Sequence, residues 1–274
     1  MEATDVVVVP DGTGRVLGVR TLGDGPPLLL LNGYSGTAAD WDPTLLAVLG
    51  ATTTVVAPDH QGVGGSSAGD LGRLTIDSMA DAALVVLDHL AAIRVPVVGW
   101  SMGGMVAQSF ARRHPDRVSA LVLLGTDGGG PGAVAPDAGV WNRLMDRTGT
   151  PRDQATRLLH LLFPPDVARS VDRLFGEDVA EARAALSPEA LAAQQRAITA
   201  WHAVDPGPPV APVPPVLVAA GAEDVVIPPA NADLLAERWG TTRVERFAGG
   251  GHAFMAQEPE ALGALITSFI ASVG

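Results

Sequence analysis

The sequence contains no cysteine and no lysine, and both absences narrow the chemistry open to the protein. Without cysteine there is no disulfide framework, thiol nucleophile or thiolate metal site. All 18 basic residues are arginine, which excludes a lysine Schiff base, a lysine-bound pyridoxal cofactor and a Walker-type phosphate loop. The six histidines are scattered and no HExxH or EF-hand spacing is present. We therefore expect neither a metal nor a cofactor.

Other features are scarce in a way that bears on location and partners. No apolar run approaches the ~18 residues that a membrane span needs. The N-terminal MEATD lacks the basic and apolar segments of a signal peptide. The net charge of −12 disfavours nucleic acid and anionic membranes as partners. We expect a cytoplasmic protein that acts on a small molecule, as a monomer or a homodimer.

The order of predicted strands and helices indicates the fold class. Eight strand-like runs alternate with helical patterns in two blocks of the chain, and the last run is Thr242–Phe247. This alternation predicts an α/β fold, with a mostly parallel sheet that helices cover on both faces. Between the blocks, residues 128–205 carry helical patterns only, one of them at Asp166–Phe175. We assign residues 1–127 and 206–274 to the α/β core and residues 128–205 to a helical lid.

The stretch around Ser101 indicates a chemistry. Val95–Val98 is a predicted strand, GWSMGG follows, and apolar residues over Met105–Ala111 recur at helical spacing. G-x-S-x-G between a strand and a helix is typical of a nucleophile elbow, in which Gly99 and Gly103 remove side chains that would clash. The helix N-terminus also favours an oxyanion next to the serine. The alternative is a glycine-rich turn whose serine only caps the helix.

A serine nucleophile needs a base and an orienting acid, and the chain offers both. Asp224 and His252 each follow the end of a predicted strand, after a glycine-containing turn. With Ser101 they occur in the order Ser, Asp, His, which is the order of the α/β-hydrolase triad. We predict that His252 accepts the Ser101 proton and that Asp224 orients the imidazole and stabilises its protonated form.

These motifs resemble the α/β-hydrolase superfamily over nearly the whole chain. The elbow GWSMGG, the acid loop GAED and the Gly251–His252 pair are most similar to the lid-bearing, cofactor-free branch that contains esterases, lactonases, C–C hydrolases and non-haem haloperoxidases. The resemblance also makes Asp127 a rival for the acid, because some members carry it after the strand that follows the elbow. We prefer Asp224, since its loop matches the usual arrangement.

The resemblance implies an oxyanion hole and shows two departures around it. The loop that usually begins His-Gly is Asn32-Gly33-Tyr34 here, and Gln61 replaces an arginine in the loop after the next strand. The group required from the first loop is a backbone N–H, so Tyr34 and Met102 are expected to form the hole. The departure at Gln61 is expected to change a structural hydrogen-bond network rather than the chemistry.

The lid suggests the kind of substrate, because such insertions form the upper wall of the pocket. We name Trp100, Trp141, Met145, Phe163 and Trp201 as candidate pocket residues. His160 and His202 could be two of the few polar groups of the pocket, and surface positions are preferred for each. The prediction is a serine hydrolase that cleaves a medium-sized, largely apolar ester, such as a polyketide-like methyl ester, or a lactone, through an acyl-enzyme. Alternatives are a cofactor-free haloperoxidase or perhydrolase, a C–C bond hydrolase, and a non-catalytic ligand receptor ranked below these.

Overall fold

The structure is a computed structural model that describes residues 5–12, 14–241 and 243–274. Residues 1–4, which carry most of the segment used to argue against a signal peptide, and Thr242, the first residue of the last predicted strand, lie outside the described residues. In the described part of the chain, no helix is long and apolar enough to cross a membrane.

Eight strands form one sheet in the described residues, in the order β1-β2-β4-β3-β5-β6-β7-β8. The first two neighbour pairs, β1 with β2 and β2 with β4, are antiparallel, and all later pairs are parallel, as the sequence predicts. The bounds are β1 Asp5–Pro10, β2 Val16–Leu22, β3 Pro27–Leu31, β4 Thr54–Pro58, β5 Val95–Trp100, β6 Val118–Leu124, β7 Val216–Gly221 and β8 Val244–Phe247.

The central strand β3 explains where the core lies. Successive side chains of a strand point to opposite faces, so the apolar run of β3 supplies both sides of the sheet. Leu29 and Leu31 join the core cluster on one face, whereas Leu28 and Leu30 join the cluster on the other. All four side chains are fully buried, as expected of a strand that helices cover on both faces.

Helices cover the two faces of the sheet. The helices of the core are α1 Pro43–Gly50, α2 Ile76–His89, α3 Met102–Arg113, α8 Asn231–Trp239, α9 Phe254–Gln257 and α10 Pro259–Val273, with short 3₁₀ turns at Leu71–Arg73 and Pro115–Arg117. Helix α2 packs beside α3, and α1 packs beside α10. The apolar positions of α2 and α3 fall in one core cluster, and those of α1 and α10 fall in the other.

Four further helices, and no strand, lie between β6 and β7, where every residue is described. They are α4 Ala138–Met145, α5 Pro151–Leu162, α6 Pro165–Ala184 and α7 Pro188–Ala203. Helix α6 continues nine residues beyond the predicted Asp166–Phe175, through Gly176. A Cβ at Gly176 would lie 2.5 Å from the guanidinium of Arg152 on α5, so the glycine makes room for that side chain and does not end the helix. The boundaries 128–205 for a lid stay a prediction.

Candidate active site

Ser101 occupies a sharp turn between β5 and α3. Its φ of 56° and ψ of −123° are rare for a residue with a side chain, and Ser101 is one of three such residues with positive φ in the described chain. The glycines around it are required by space. A Cβ at Gly99 would lie 2.3 Å from the carbonyl oxygen of Gly103, and a Cβ at Gly103 would lie 2.1 Å from that of Leu31. This strained turn presents the serine at the helix N-terminus.

Ser101, His252 and Asp224 form a hydrogen-bonded chain. The Oγ of Ser101 lies 2.9 Å from Nε2 of His252, and Nδ1 of His252 lies 2.7 Å from Oδ2 of Asp224. The second oxygen of Asp224 accepts the backbone N–H groups of Val226 and Ile227, at 2.8 and 2.9 Å. His252 and Asp224 are both buried. The carboxylate is therefore fixed in position with its other oxygen on the imidazole.

Glycines also bring the acid loop and the histidine loop together. A Cβ at Gly221 would lie 2.1 Å from the carbonyl oxygen of Gly251, so β7 and the histidine loop approach closely only because Gly221 has no side chain. The indole Nε1 of Trp100 donates to the carbonyl oxygen of His252 at 3.0 Å, and the two ring centroids are 5.2 Å apart. Trp100 thus contacts the His252 ring and hydrogen-bonds its backbone.

Two residues that line the cavity together with Ser101 have backbone N–H groups without an acceptor among the described residues. Tyr34 and Met102 both line the cavity above Ser101, and neither amide donates to a protein acceptor in the described chain. The loop that carries Tyr34 is fixed by Asn32, whose Oδ1 accepts from the N–H of Gly33 at 2.8 Å and whose Nδ2 donates to the carbonyl oxygen of Thr37. Asparagine at this position therefore shapes the loop with its own side chain.

The loop after β4 holds the same region from the other side. Asp59 accepts from the N–H of Ala38 at 2.6 Å with one oxygen and from the N–H of Gly65 at 2.8 Å with the other. His60 is buried, and its Nε2 lies 2.9 Å from the carbonyl oxygen of Asn32. Burial lowers the pKa of His60, against smaller raising effects of that hydrogen bond and of Asp59. Gln61 makes no side-chain hydrogen bond in the described structure.

Sequence reasoning missed Gln194. This residue lies on α7 and is fully buried, and its Oε1 accepts the backbone N–H of Ser35 at 2.9 Å. Ser35 directly follows Tyr34 and has a φ of 61°. Helix α7 therefore holds the loop of Tyr34, which carries one of the two free N–H groups. The contact joins residues 159 positions apart, and nothing in the local pattern around Gln194 marks it.

A cavity of about 530 Å³ lies over Ser101. Its wall combines the core loops with α4, α7 and the segment after β6, and most of the side chains are apolar. No arginine is among the residues that line it. The lining residues are Tyr34, Ser101, Met102, Met105, Asp127, Gly130, Pro131, Ala133, Val134, Ala135, Pro136, Ala138, Trp141, Leu144, Met145, Ile198, Thr199, His202, Val226 and Ile227.

Two of the five candidate pocket residues, Trp141 and Met145, line this cavity, and three do not. Trp100 contacts His252, as described above. Phe163 packs against the core cluster that contains Leu124 and Phe254, because the end of α5 lies over the histidine loop. The third, Trp201, is buried and points its Nε1 at Oδ1 of Asp127, 3.3 Å away. An apolar pattern in a lid does not separate residues that pack from residues that face the cavity.

Of the two positions considered for His202, the structure shows the one in the pocket wall and not the preferred surface position. His202 lines the cavity, and its Nε2 lies 3.0 Å from Oδ2 of Asp127. Asp127, the rival acid, bonds to the lid and not to His252, whose Nδ1 is bonded to Asp224. His160 is partly exposed beside Asp172 on α6, outside the cavity lining. Among the described residues, no three histidine or acidic side chains converge as metal ligands would.

Comparisons with known proteins agree with this architecture. A family described as "alpha/beta hydrolase fold" matches residues 26–259. The sequence is 30% identical over 250 residues to a Caulobacter vibrioides protein provisionally named carbamate hydrolase RutD, which covers 89% of each chain. It is 32% identical over 263 residues to a pimeloyl-[acyl-carrier protein] methyl ester esterase of Aromatoleum aromaticum, covering 89% of this chain and 98% of the other.

The fold also matches solved structures. A hydrolase from Pseudomonas aeruginosa superposes with a TM-score of 0.80 at 25% identity, over 98% of this chain and 99% of the other. The sequence match, the eight-stranded sheet and the elbow agree, and the chain belongs to the α/β-hydrolase family. The predicted fold class is confirmed.

Proposed function

We propose that the protein is a serine hydrolase that cleaves a medium-sized, largely apolar carboxylic ester or lactone through an acyl-enzyme. The observation that carries the proposal is the position of the Ser101 hydroxyl. It is hydrogen-bonded to His252 and opens into a cavity of about 530 Å³ whose wall is mostly apolar and has no arginine. Cavities of ~300–1,000 Å³ suit small organic ligands of this kind. A highly charged substrate would find little to pair with.

Each step of the reaction has a group in reach. Nε2 of His252, 2.9 Å from the serine oxygen, takes its proton while Oγ attacks the carbonyl carbon. The N–H groups of Tyr34 and Met102 stabilise the negative charge that develops on the carbonyl oxygen. In the described chain neither N–H is bonded to a protein acceptor, so both are free to donate to the substrate. The protonated His252 then returns the proton to the leaving alcohol.

The second half of the reaction repeats the first with water. His252 removes a proton from the water as it attacks the acyl carbonyl, and it protonates Ser101 as the acid leaves. Asp224 remains ionised throughout, holds the imidazole in the tautomer with the proton on Nδ1, and stabilises the imidazolium. Its two bonds from backbone N–H groups keep the carboxylate from rotating away.

The named relatives bear on the bond that is cleaved. One carries the name of a methyl ester esterase and another the provisional name of a carbamate hydrolase. Esters and carbamates both present a carbonyl carbon to the same serine, and both belong in a substrate panel. The mostly apolar wall supports an ester with an apolar acyl group over a small polar carbamate.

The test is the replacement of Ser101 by alanine. Turnover of p-nitrophenyl hexanoate should fall by about 10⁶, the scale on which a triad serine contributes, and a fluorophosphonate probe should no longer label the protein. Ser109→Ala is the matched control, because Ser109 lies on the same helix but bonds to Asp77, away from the cavity. It should keep both turnover and labelling. Turnover by Ser101→Ala close to that of the unmodified protein would refute the proposal.

A further inference from the structure

The cavity wall contains an ion pair that the proposed reaction does not use. Asp127 ends the turn after β6, and His202 lies near the end of α7, so the core and the lid supply one partner each. Oδ2 of Asp127 lies 3.0 Å from Nε2 of His202. The carboxylate is buried, with 3% of its side chain exposed, whereas 32% of the His202 side chain is exposed. Both residues line the cavity over Ser101.

Both carboxylate oxygens of Asp127 are already engaged in hydrogen bonds. Its Oδ1 accepts from the N–H of Gly129 at 2.8 Å and from Nε1 of Trp201 at 3.3 Å, and its Oδ2 accepts from His202. A buried carboxylate with three donors is satisfied. Its role towards the cavity is therefore to hold the imidazole, in the same way that Asp224 holds His252. The edge of the Trp141 ring confines His202 on another side, with centroids 6.5 Å apart.

His202 keeps one ring nitrogen free. Nε2 bonds to Asp127, while Nδ1 makes no hydrogen bond to any described residue and is not among the enclosed unpaired atoms. It is thus exposed, on a side chain that lines the cavity. Burial lowers the pKa of His202, but the hydrogen bond and charge of Asp127 outweigh it, so the pKa is raised. Nδ1 donates when the ring is protonated and accepts when it is neutral.

Of the other polar side chains of the lining, one has its donor engaged and the other is enclosed without a partner in the described chain. Apart from Ser101 and Asp127, they are Tyr34 and Thr199. The hydroxyl of Thr199 donates to the carbonyl oxygen of Gln195 at 2.9 Å, and the hydroxyl of Tyr34 is enclosed. A polar group on a substrate within this apolar cavity has His202 as its side-chain partner. A hydroxyl suits both states of the ring, because it accepts from the imidazolium and donates to the neutral form.

We propose that His202, held by Asp127, determines specificity for substrates that carry a hydroxyl group away from the ester bond, with Nδ1 of His202 as its partner. The substrate class is then a hydroxylated, otherwise apolar ester or lactone. This inference rests on the proposed hydrolase function. It adds a second recognition point to the cavity, besides the carbonyl group bound at Ser101, and so fixes the substrate at both ends.

The experiment compares esters that differ only in a hydroxyl. The probes are p-nitrophenyl 3-phenylpropanoate and its 3-hydroxyphenyl and 4-hydroxyphenyl analogues, in which the two-carbon spacer insulates the ester from the ring. In the unmodified protein, kcat/KM for one of the hydroxylated esters should exceed that of the parent by about tenfold, the scale of one hydrogen bond to a charged group. His202→Phe should bring this ratio to about one, and His202→Gln, which keeps an amide donor, should restore part of it.

His160→Phe is the matched control, because His160 is the other lid histidine beside a carboxylate and lies outside the cavity lining. It should keep the ratio of the unmodified protein. A second measurement avoids any change at His202. In the Ser101→Ala protein, the hydroxylated ester should shift the ¹⁵N resonance of His202 Nδ1, and the parent ester should not.

Two results would overturn the inference. One is a ratio near one for both hydroxylated esters in the unmodified protein, without a ¹⁵N shift. The other is a preference that survives His202→Phe. Either result leaves the proposed hydrolase function intact if the parent ester is still hydrolysed in a Ser101-dependent manner. Loss of that Ser101 dependence would instead refute the hydrolase itself.

Discussion

The contact between Gln194 and the loop of Tyr34 gives a quantitative prediction. Gln194 is fully buried on α7, and its Oε1 accepts the N–H of Ser35 at 2.9 Å. Gln194→Met keeps the length of the side chain and removes the acceptor. The N–H of Ser35 would then be buried without a partner, which lowers the free energy of unfolding by about 1–3 kcal/mol. Removal of the Gln194 Nε2, which is itself buried without a partner in the described chain, offsets part of this cost.

The loop has a way to avoid that cost. Ser35 is held at a φ of 61°, in the left-handed region, and a conformation of this kind persists only when its surroundings hold it there. Without Gln194 the loop should relax and move the adjacent N–H of Tyr34. Complete loss of an oxyanion donor costs about 10²–10³ in kcat, so a displaced donor should cost roughly tenfold. KM should change little, because the donor binds charge that exists only in the transition state.

The assay is steady-state hydrolysis of p-nitrophenyl hexanoate, with kcat and KM determined separately. Gln195→Met is the matched control, since Gln195 is the next residue on α7 and its side chain makes no hydrogen bond in the described structure. Gln194→Glu keeps an acceptor oxygen and should retain more of kcat than Gln194→Met. A kcat for Gln194→Met within twofold of the control, or an effect confined to KM, would show that the lid does not position the oxyanion loop.

Two other predictions use buried groups of the site. Asp224→Asn should lower kcat by about 10⁴, as in other triads, while Asp127→Asn should cost far less; the reverse ranking in the same assay would make Asp127 the acid. The lowered pKa of His60 means that the unfolded chain binds a proton below a pH of about 6.5 that the folded chain does not. The folded state should therefore lose stability as the pH drops below about 6.5. The free energy of unfolding should decrease by at most about 1.4 kcal/mol per pH unit. In thermal melts at several pH values, the melting temperature of His60→Gln should depend less on pH than that of the unmodified protein. Equal pH dependence in the two proteins would contradict the prediction.

Sequence analysis predicts the parts of the site that depend on local backbone geometry. The elbow needs Gly99 and Gly103 because backbone atoms lie 2.3 and 2.1 Å from where their Cβ atoms would be. Such a requirement leaves a readable pattern around Ser101. The turn positions of Asp224 and His252 follow strand ends, and carboxyl ends of parallel strands meet at one edge of the sheet. Local pattern and sheet order together therefore predict that the three side chains lie close together.

The contacts that sequence analysis does not predict are made by side chains across long separations. Gln194 meets Ser35 over 159 positions and His202 meets Asp127 over 75. Each contact depends on where the helices between β6 and β7 pack against the core. A helical apolar pattern predicts which face of a helix is buried, but it does not predict which residues that face contacts. The same ambiguity misplaced Trp201 and Phe163 as cavity residues. Helix α6 also runs beyond the predicted Asp166–Phe175, because Gly176 makes room for Arg152 and does not end the helix.

The groups assigned to bond cleavage and the wall of the cavity lie on different parts of the chain. The groups assigned to bond cleavage lie on turns of the core whose geometry glycines and backbone hydrogen bonds enforce. The cavity above them is formed largely by α4, α7 and the segment after β6, which can vary without disturbing those turns. Two contacts tie these helices to the site itself. Gln194 on α7 accepts from the N–H of Ser35, beside Tyr34, and the carbonyl oxygen of Leu162 at the end of α5 accepts from the N–H of Ala253, beside His252. In the proposed mechanism, α7 both shapes the cavity and holds the loop of Tyr34, which couples substrate fit to transition-state stabilisation.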